Sequence, residues 1–197
     1  MSRLWLVRHP RPLVAAGVCY GRLDVAADPQ HLQQVRDQLA QELPPGAHVH
    51  HSPRQRCAKL AQALCEVRPD LQSASPPDGD PDLAEMDFGE WEGQTWDALG
   101  EAAVSAWTAD FAHHAPGGGE TVNQVLQRVG RAWRHTQART GTGQSAVWIT
   151  HAGVIRCLQL LRQGVHQVDR ASQWPTGGPA CGEWLSFEWG ASGPTPA

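Results

Sequence analysis

Two apolar runs, "LWLV" at residues 4–7 and "AVWI" at 146–149, constrain this chain more than any other feature. Each is too short and too continuously apolar for an amphipathic helix, so each reads as a strand buried in a core. Each then meets a histidine within two residues, the first through "RHPRP" and the second through "TH". An arginine at the tip of a buried strand is expensive, because an unpaired charge costs several kcal/mol or more to bury. Arg8 must therefore meet a counter-charge where the strand ends.

Helix signals fill the space between the runs. Residues 28–43, "DPQHLQQVRDQLAQEL", offer Asp28 as a cap, Pro29 at the first helical position, and Leu32, Val35 and Leu39 on one face. "AHVHHS" is a second strand candidate, ending near Ser52. "SPRQRCAKLAQALCEV" reads as a helix with Ser52 as cap, Pro53 in first position, and Cys57, Leu60, Ala61 and Leu64 inward. "ETVNQVLQRVGRAW" is helical through Val122, Val125, Leu126, Val129 and Trp133. "AGVIRCLQLLR" is apolar almost all round, and "CGEWLSFEW" alternates as a strand does. Short helices are expected over 91–111, loops over 73–82 and at the flexible "HHAPGGGET" (113–121), and a disordered tail over 190–197. Strand and helix in alternation imply an α/β fold, a three-layer sandwich around a mostly parallel sheet, as one domain over 1–189.

Composition excludes several functions. A chain of 197 residues suits one well-buried core, and a net charge of −4 gives no electrostatic case for nucleic acid or an anionic membrane as partner. No apolar run approaches the roughly 20 residues that span a bilayer. "MSRLWLVRH" is too short and too charged for a signal peptide, so the expected location is the cytoplasm. The five cysteines are odd in number and form no C-x-x-C, which indicates reduced thiols. "HVHH" and His113-His114 lack acidic or cysteine partners at ligand spacing, so no metal is expected. Nine tryptophans against three phenylalanines find no explanation at this level.

In an open α/β sheet the carboxyl ends of parallel strands line the ligand crevice. Arg8, His9, Arg56 and His151 would converge there, and so many cationic or cationisable groups call for an anion. The planar fork of arginine suits phosphate, and helix starts near Pro53 and Ala152 would add backbone N–H donors.

These elements resemble those of the histidine phosphatases, the phosphoglycerate mutase-like superfamily. "LVRHP" is similar to its R-H-G signature, "HSPRQRCAKLAQAL" to its S-P-x-x-R-A-x-x-T-A element, "LAEMDFGEWEG" to its L-x-E-x-x-F-G-x-W-E-G element, and "ITHAGVIR" to its second histidine motif. All four occur in family order between Leu4 and about Arg156. The wording "EMDFGEWE" with "PGGGE" most resembles the α-ribazole phosphatase branch of cobalamin synthesis. The resemblance implies a phosphohistidine mechanism on a small phosphate monoester, with neither metal nor cofactor. His9 would be the nucleophile, kept neutral by Arg8 and Arg56. Arg8, Arg56 and His151 would hold the phosphate, and Glu85 would serve as acid and then base. Arg22 and Ala152 are candidates for substrate contact, with a surface ion pair as the alternative for Arg22. Two positions depart from the family pattern: Pro10 replaces a glycine, and Ala15 stands where many members carry asparagine. A phosphoglycerate mutase is the alternative, disfavoured by the short stretch from Glu85 to His151; a non-catalytic phosphate-binding or interaction member is a further one. Oligomeric state is open.

Overall fold

Alternation along two central strands decides how the layers form. In the computed structural model, which describes residues 2–141 and 143–189, the first run is strand β1, Ser2–Arg8, and the second is β4, Ala146–Thr150. They pair directly and in parallel, Leu4 opposite Ala146 and Arg8 opposite Thr150. Leu4, Leu6, Ala146 and Trp148 point to one face, against helices α5 (Val122–Arg139) and α6 (Ala152–Arg162). Trp5, Val7, Val147 and Ile149 point to the other, against α1 (Pro29–Glu42) and α2 (Gln55–Val67). Both faces are covered, which is why these strands are apolar without interruption. Trp148, wholly buried, satisfies its indole N–H on Thr136 Oγ1 at 3.0 Å.

The sheet order is β3-β2-β4-β1-β5, with β2 at His48–His51, β3 at Gln72–Ser73 and β5 at Trp184–Trp189. The first four strands run parallel, and β5 runs antiparallel to β1 at the edge. The expected α/β architecture with a mostly parallel sheet is therefore observed. The C-terminal ends of β1, β2 and β4 lie side by side, which brings His9, Ser52 and His151 to one rim. The short helices expected over 91–111 are α3 (Trp96–Leu99) and α4 (Glu101–Ala109). The tail expected at 190–197 lies outside the described residues.

Two expectations need correction. The second helix begins at Gln55, not Pro53, and its N-cap, Arg54, makes no side-chain capping bond. Ser52 Oγ accepts from Arg54 N–H at 3.3 Å, ahead of the helix, and also meets His151 in the site. The "PGGGE" segment is also no free loop. It forms a single 3₁₀ turn at Pro116–Gly118 that docks backbone to backbone on residues 87–90, and a Cβ at Gly117 would overlap the Phe88 carbonyl and lie 2.7 Å from the Glu90 nitrogen. Glu120 closes the contact: its N–H donates to the Asp87 carbonyl at 2.8 Å, and its carboxylate accepts from Asp87 N–H at 3.0 Å.

Candidate active site

His9 follows the end of β1 and is 2% exposed. Its Nδ1 lies 2.7 Å from the Pro10 carbonyl. A carbonyl only accepts, so Nδ1 carries the proton and the Nε2 lone pair is left open. Proline at position 10 thus costs nothing at this contact, because the carbonyl survives where the N–H is lost. Burial, then the nearby Arg56 and Arg8 guanidiniums, push the His9 pKa down to about 3 despite the opposing Pro10 bond. The arginines act in the direction expected of them, but burial contributes more. His9 is neutral across the physiological range.

His151 caps the next strand end and is fully buried. Its ring centroid lies 5.2 Å from that of His9. Its Nε2 is 2.8 Å from Ser52 Oγ and its Nδ1 is 3.4 Å from Arg56 Nη2. Arginine only donates, so Nδ1 accepts and Nε2–H donates to the serine. Burial, then Arg56, holds this imidazole well below its usual pKa.

Arg56, on the first turn of α2, is also fully buried. It donates to the Leu23 carbonyl at 2.8 Å and the Gly21 carbonyl at 2.7 Å, and its guanidinium carbon sits 5.3 Å from the Tyr20 ring centre. Arg8 donates to the Pro179 carbonyl at 3.2 Å. The Nε atoms of Arg8, Arg54 and Arg56 are all buried without a hydrogen-bond partner. Buried donors are nearly always satisfied, and these three belong to arginines close to His9 and His151, where an anion would give them a partner.

Glu85 stands opposite the start of α6. Its Oε2 accepts from Gly153 N–H and its Oε1 from Met86 N–H, both at 3.1 Å. Arg22 is paired with Asp87 at 3.2 Å, and its side chain is 69% exposed, so the ion-pair alternative describes it. It nevertheless lines a cleft of about 350 Å³ together with Arg54 and Glu85. Ala152 and Gly153 lie on a second cavity, on which Glu85 also borders. Ala15 is exposed.

Sequence reasoning missed several residues that build this arrangement. Tyr20 packs edge-on to His9, with centroids 6.3 Å apart, and burial raises its phenol pKa. Arg128, 7% exposed, donates to the carbonyls of Asp82, Ala84 and Glu85 and makes two 2.9 Å bonds to Glu120. It therefore sets the backbone that carries Glu85. Its signal was an arginine among Val125, Val129 and Ala132 on an otherwise apolar face. Glu92 lies in the same acidic loop as Glu85. Its carboxylate instead accepts from the N–H groups of Gly21, Arg22, Leu23 and Phe88, which holds the loop whose carbonyls grip Arg56. Among the described residues, no group of three or more His, Cys, Asp or Glu side chains is placed to hold a metal ion, and no helix is long and apolar enough to cross a membrane.

Residues 4–189 match the histidine phosphatase superfamily, branch 1. The chain belongs to that superfamily. Among solved structures it is similar to a mycobacterial glucosyl-3-phosphoglycerate phosphatase, at 22% identity and TM-score 0.76, covering 95% of this chain and 90% of that one. It is also similar to YhfR of Bacillus stearothermophilus, at 20% identity and TM-score 0.77, covering 97% and 93%. TTHB049 of Thermus thermophilus is 28% identical with TM-score 0.65, covering 95% and 94%. No curated protein matches the sequence. The expectation of a phosphatase of this superfamily is met at the level of the family, and the likenesses below 25% identity speak for the fold alone.

Proposed function

We propose that this histidine phosphatase is a phosphomonoesterase working through a phosphohistidine, with α-ribazole 5′-phosphate as its first candidate substrate. The observation that carries the reading is the state of His9. Its Nδ1 proton is fixed on the Pro10 carbonyl and its neutral Nε2 is free, beside arginines with unpartnered Nε donors.

Phosphoryl transfer from a monoester has a loose transition state, so catalysis is mainly positioning and charge stabilisation. His9 Nε2 attacks phosphorus, the ester P–O bond breaks, and the leaving alkoxide takes the proton of Glu85. Water then attacks the phosphohistidine, Glu85 takes its proton, and inorganic phosphate leaves with the electron pair of the P–N bond shifting back to His9. Arg8 and Arg56 hold the equatorial oxygens throughout, and His151 joins them once its Nε2–H turns from Ser52 to the phosphate. The phosphate dianion compensates the cradle, which accounts for Arg8 at the end of a buried strand.

Turnover of p-nitrophenyl phosphate at pH 5–7, with rapid-quench detection of an acid-labile, base-stable phosphoenzyme, tests the mechanism. His9→Ala is expected to abolish both. Wild-type protein that turns over no ester, or a variant that behaves identically, refutes the enzyme reading in favour of a binding protein. Rates on α-ribazole 5′-phosphate, and on 3-phosphoglycerate with bisphosphoglycerate, then separate the proposed substrate from a mutase activity.

A further inference from the structure

From the wall of aromatic rings beside Glu85, we infer that the alcohol half of the substrate carries an aromatic ring system, which binds in the cavity that these residues enclose. The inference rests on the phosphomonoesterase reading and adds the chemistry of the leaving group. Protein interiors are packed to crystal density, so an unfilled space of about 270 Å³ at the edge of the core needs a reason. Ligand sites run from roughly 300 to 1,000 Å³, which makes this one the size of a single ring system and not of a whole substrate.

Its walls are unusual. Trp96, Phe88, Trp107, Phe111 and Trp174 form one continuous chain of rings, with successive centroids 5.8, 5.9, 5.4 and 5.7 Å apart. Such walls offer edges and faces to another ring, the arrangement in which aromatic groups attract beyond simple burial. Three of the chain's nine tryptophans stand here, which supplies a reason for part of that excess. The polar side is equally specific. Glu85, the proposed proton donor to the leaving oxygen, borders the cavity, so a ring attached to that oxygen by a short linker reaches it. A plain sugar or a glycerate, with no aromatic ring attached, would leave these rings wet and is disfavoured.

Three primary-alcohol esters with similar leaving groups isolate the ring: ethyl phosphate, 2-phenylethyl phosphate and 2-(4-nitrophenyl)ethyl phosphate, with 3-phosphoglycerate for comparison. Burying one ring is expected to raise kcat/KM about 30-fold over ethyl phosphate. Trp174→Ala, at a partly buried wall residue, is expected to cut that preference by about 5-fold, and Trp107→Phe, which keeps the wall, by less. Equal kcat/KM for the aryl and ethyl esters, or a preference for 3-phosphoglycerate, overturns the inference while leaving the phosphatase reading intact. A binding arm needs no catalysis. 2-(4-Nitrophenyl)ethanol should quench tryptophan fluorescence saturably in wild type and in His9→Ala, and more weakly in Trp174→Ala. No saturable quenching overturns the cavity even if no ester is turned over.

Discussion

Replacing Gly153 by alanine separates the placement of Glu85 from the stability of the fold. Gly153 is the second residue of α6, and its N–H holds Glu85 Oε2 at 3.1 Å. A Cβ there would overlap Glu85 Oε1 and stand 3.2 Å from the carboxyl carbon. The obstructing atoms are the end of a flexible side chain, so the carboxylate yields, not the helix, and it retreats by about 1 Å to reach ordinary contact. Alanine in place of glycine favours a helix by up to about 1 kcal/mol, less in a first turn. The melting temperature is therefore expected to stay level or rise by up to about 3 °C. A misplacement of that size costs on the order of 100-fold in rate, so kcat on ethyl phosphate should fall by about that factor. p-Nitrophenyl phosphate leaves as a stabilised phenolate that needs little protonation, so its loss should stay under about 10-fold. Steady-state kinetics on both esters, beside thermal melts, reads the result. Unchanged kcat on ethyl phosphate, or equal losses on the two esters, would refute Glu85 as the proton donor.

Arg128→Met keeps the stem but removes five hydrogen bonds, leaving three carbonyls and the Glu120 carboxylate uncompensated. A loss of about 3 kcal/mol is expected, a drop in melting temperature of roughly 10 °C, and a shift under about 2 °C would contradict it. The same cycle with Glu120→Gln should be strongly non-additive. Burial lowers the pKa of His9 to about 3, of His50 to about 4, and of His151 well below its usual value. The unfolded chain then binds more protons as pH falls below about 6.5, so stability is full above that value and drains toward pH 4. The slope reaches about 1.4 kcal/mol per pH unit for each histidine, and denaturant melts from pH 7 to pH 5 measure it; a flat profile would contradict the neutral buried rings. Glu92→Ala should lower both stability and activity by freeing residues 21–23, whereas Glu90→Ala, at an exposed position, should change neither.

Much of the site was legible because motifs keep their local order. Arg8-His9, Ser52-Pro53-x-x-Arg56 and Thr150-His151 each sit where a strand stops, and short apolar runs announce strand ends without any knowledge of the sheet. Local signals failed where the partner lies far along the chain. Ser52 looked like a cap because the hydroxyl preceded a proline, yet its decisive neighbour is His151, 99 residues away. Glu92 and Glu85 are both acidic residues in one loop, and nothing in their spacing reveals that one accepts from a loop 70 residues earlier while the other faces α6. The glycines of the "PGGGE" segment suggested mobility, whereas the structure uses their missing Cβ atoms to let two backbones touch.

What the amino-acid sequence determined alone is the periodic and local part: continuous apolar strands, capped helices, and imidazole and guanidinium groups placed at strand ends. Those properties depend on neighbours within a turn or a pleat, so they can be read in one dimension. Tertiary packing decided which nitrogen of His9 is free, which carboxylate faces α6, how Arg128 fixes the backbone that carries it, and that a run of tryptophans encloses a space. Each of these depends on desolvation and on partners brought together from distant parts of the chain, and only the folded molecule supplies them.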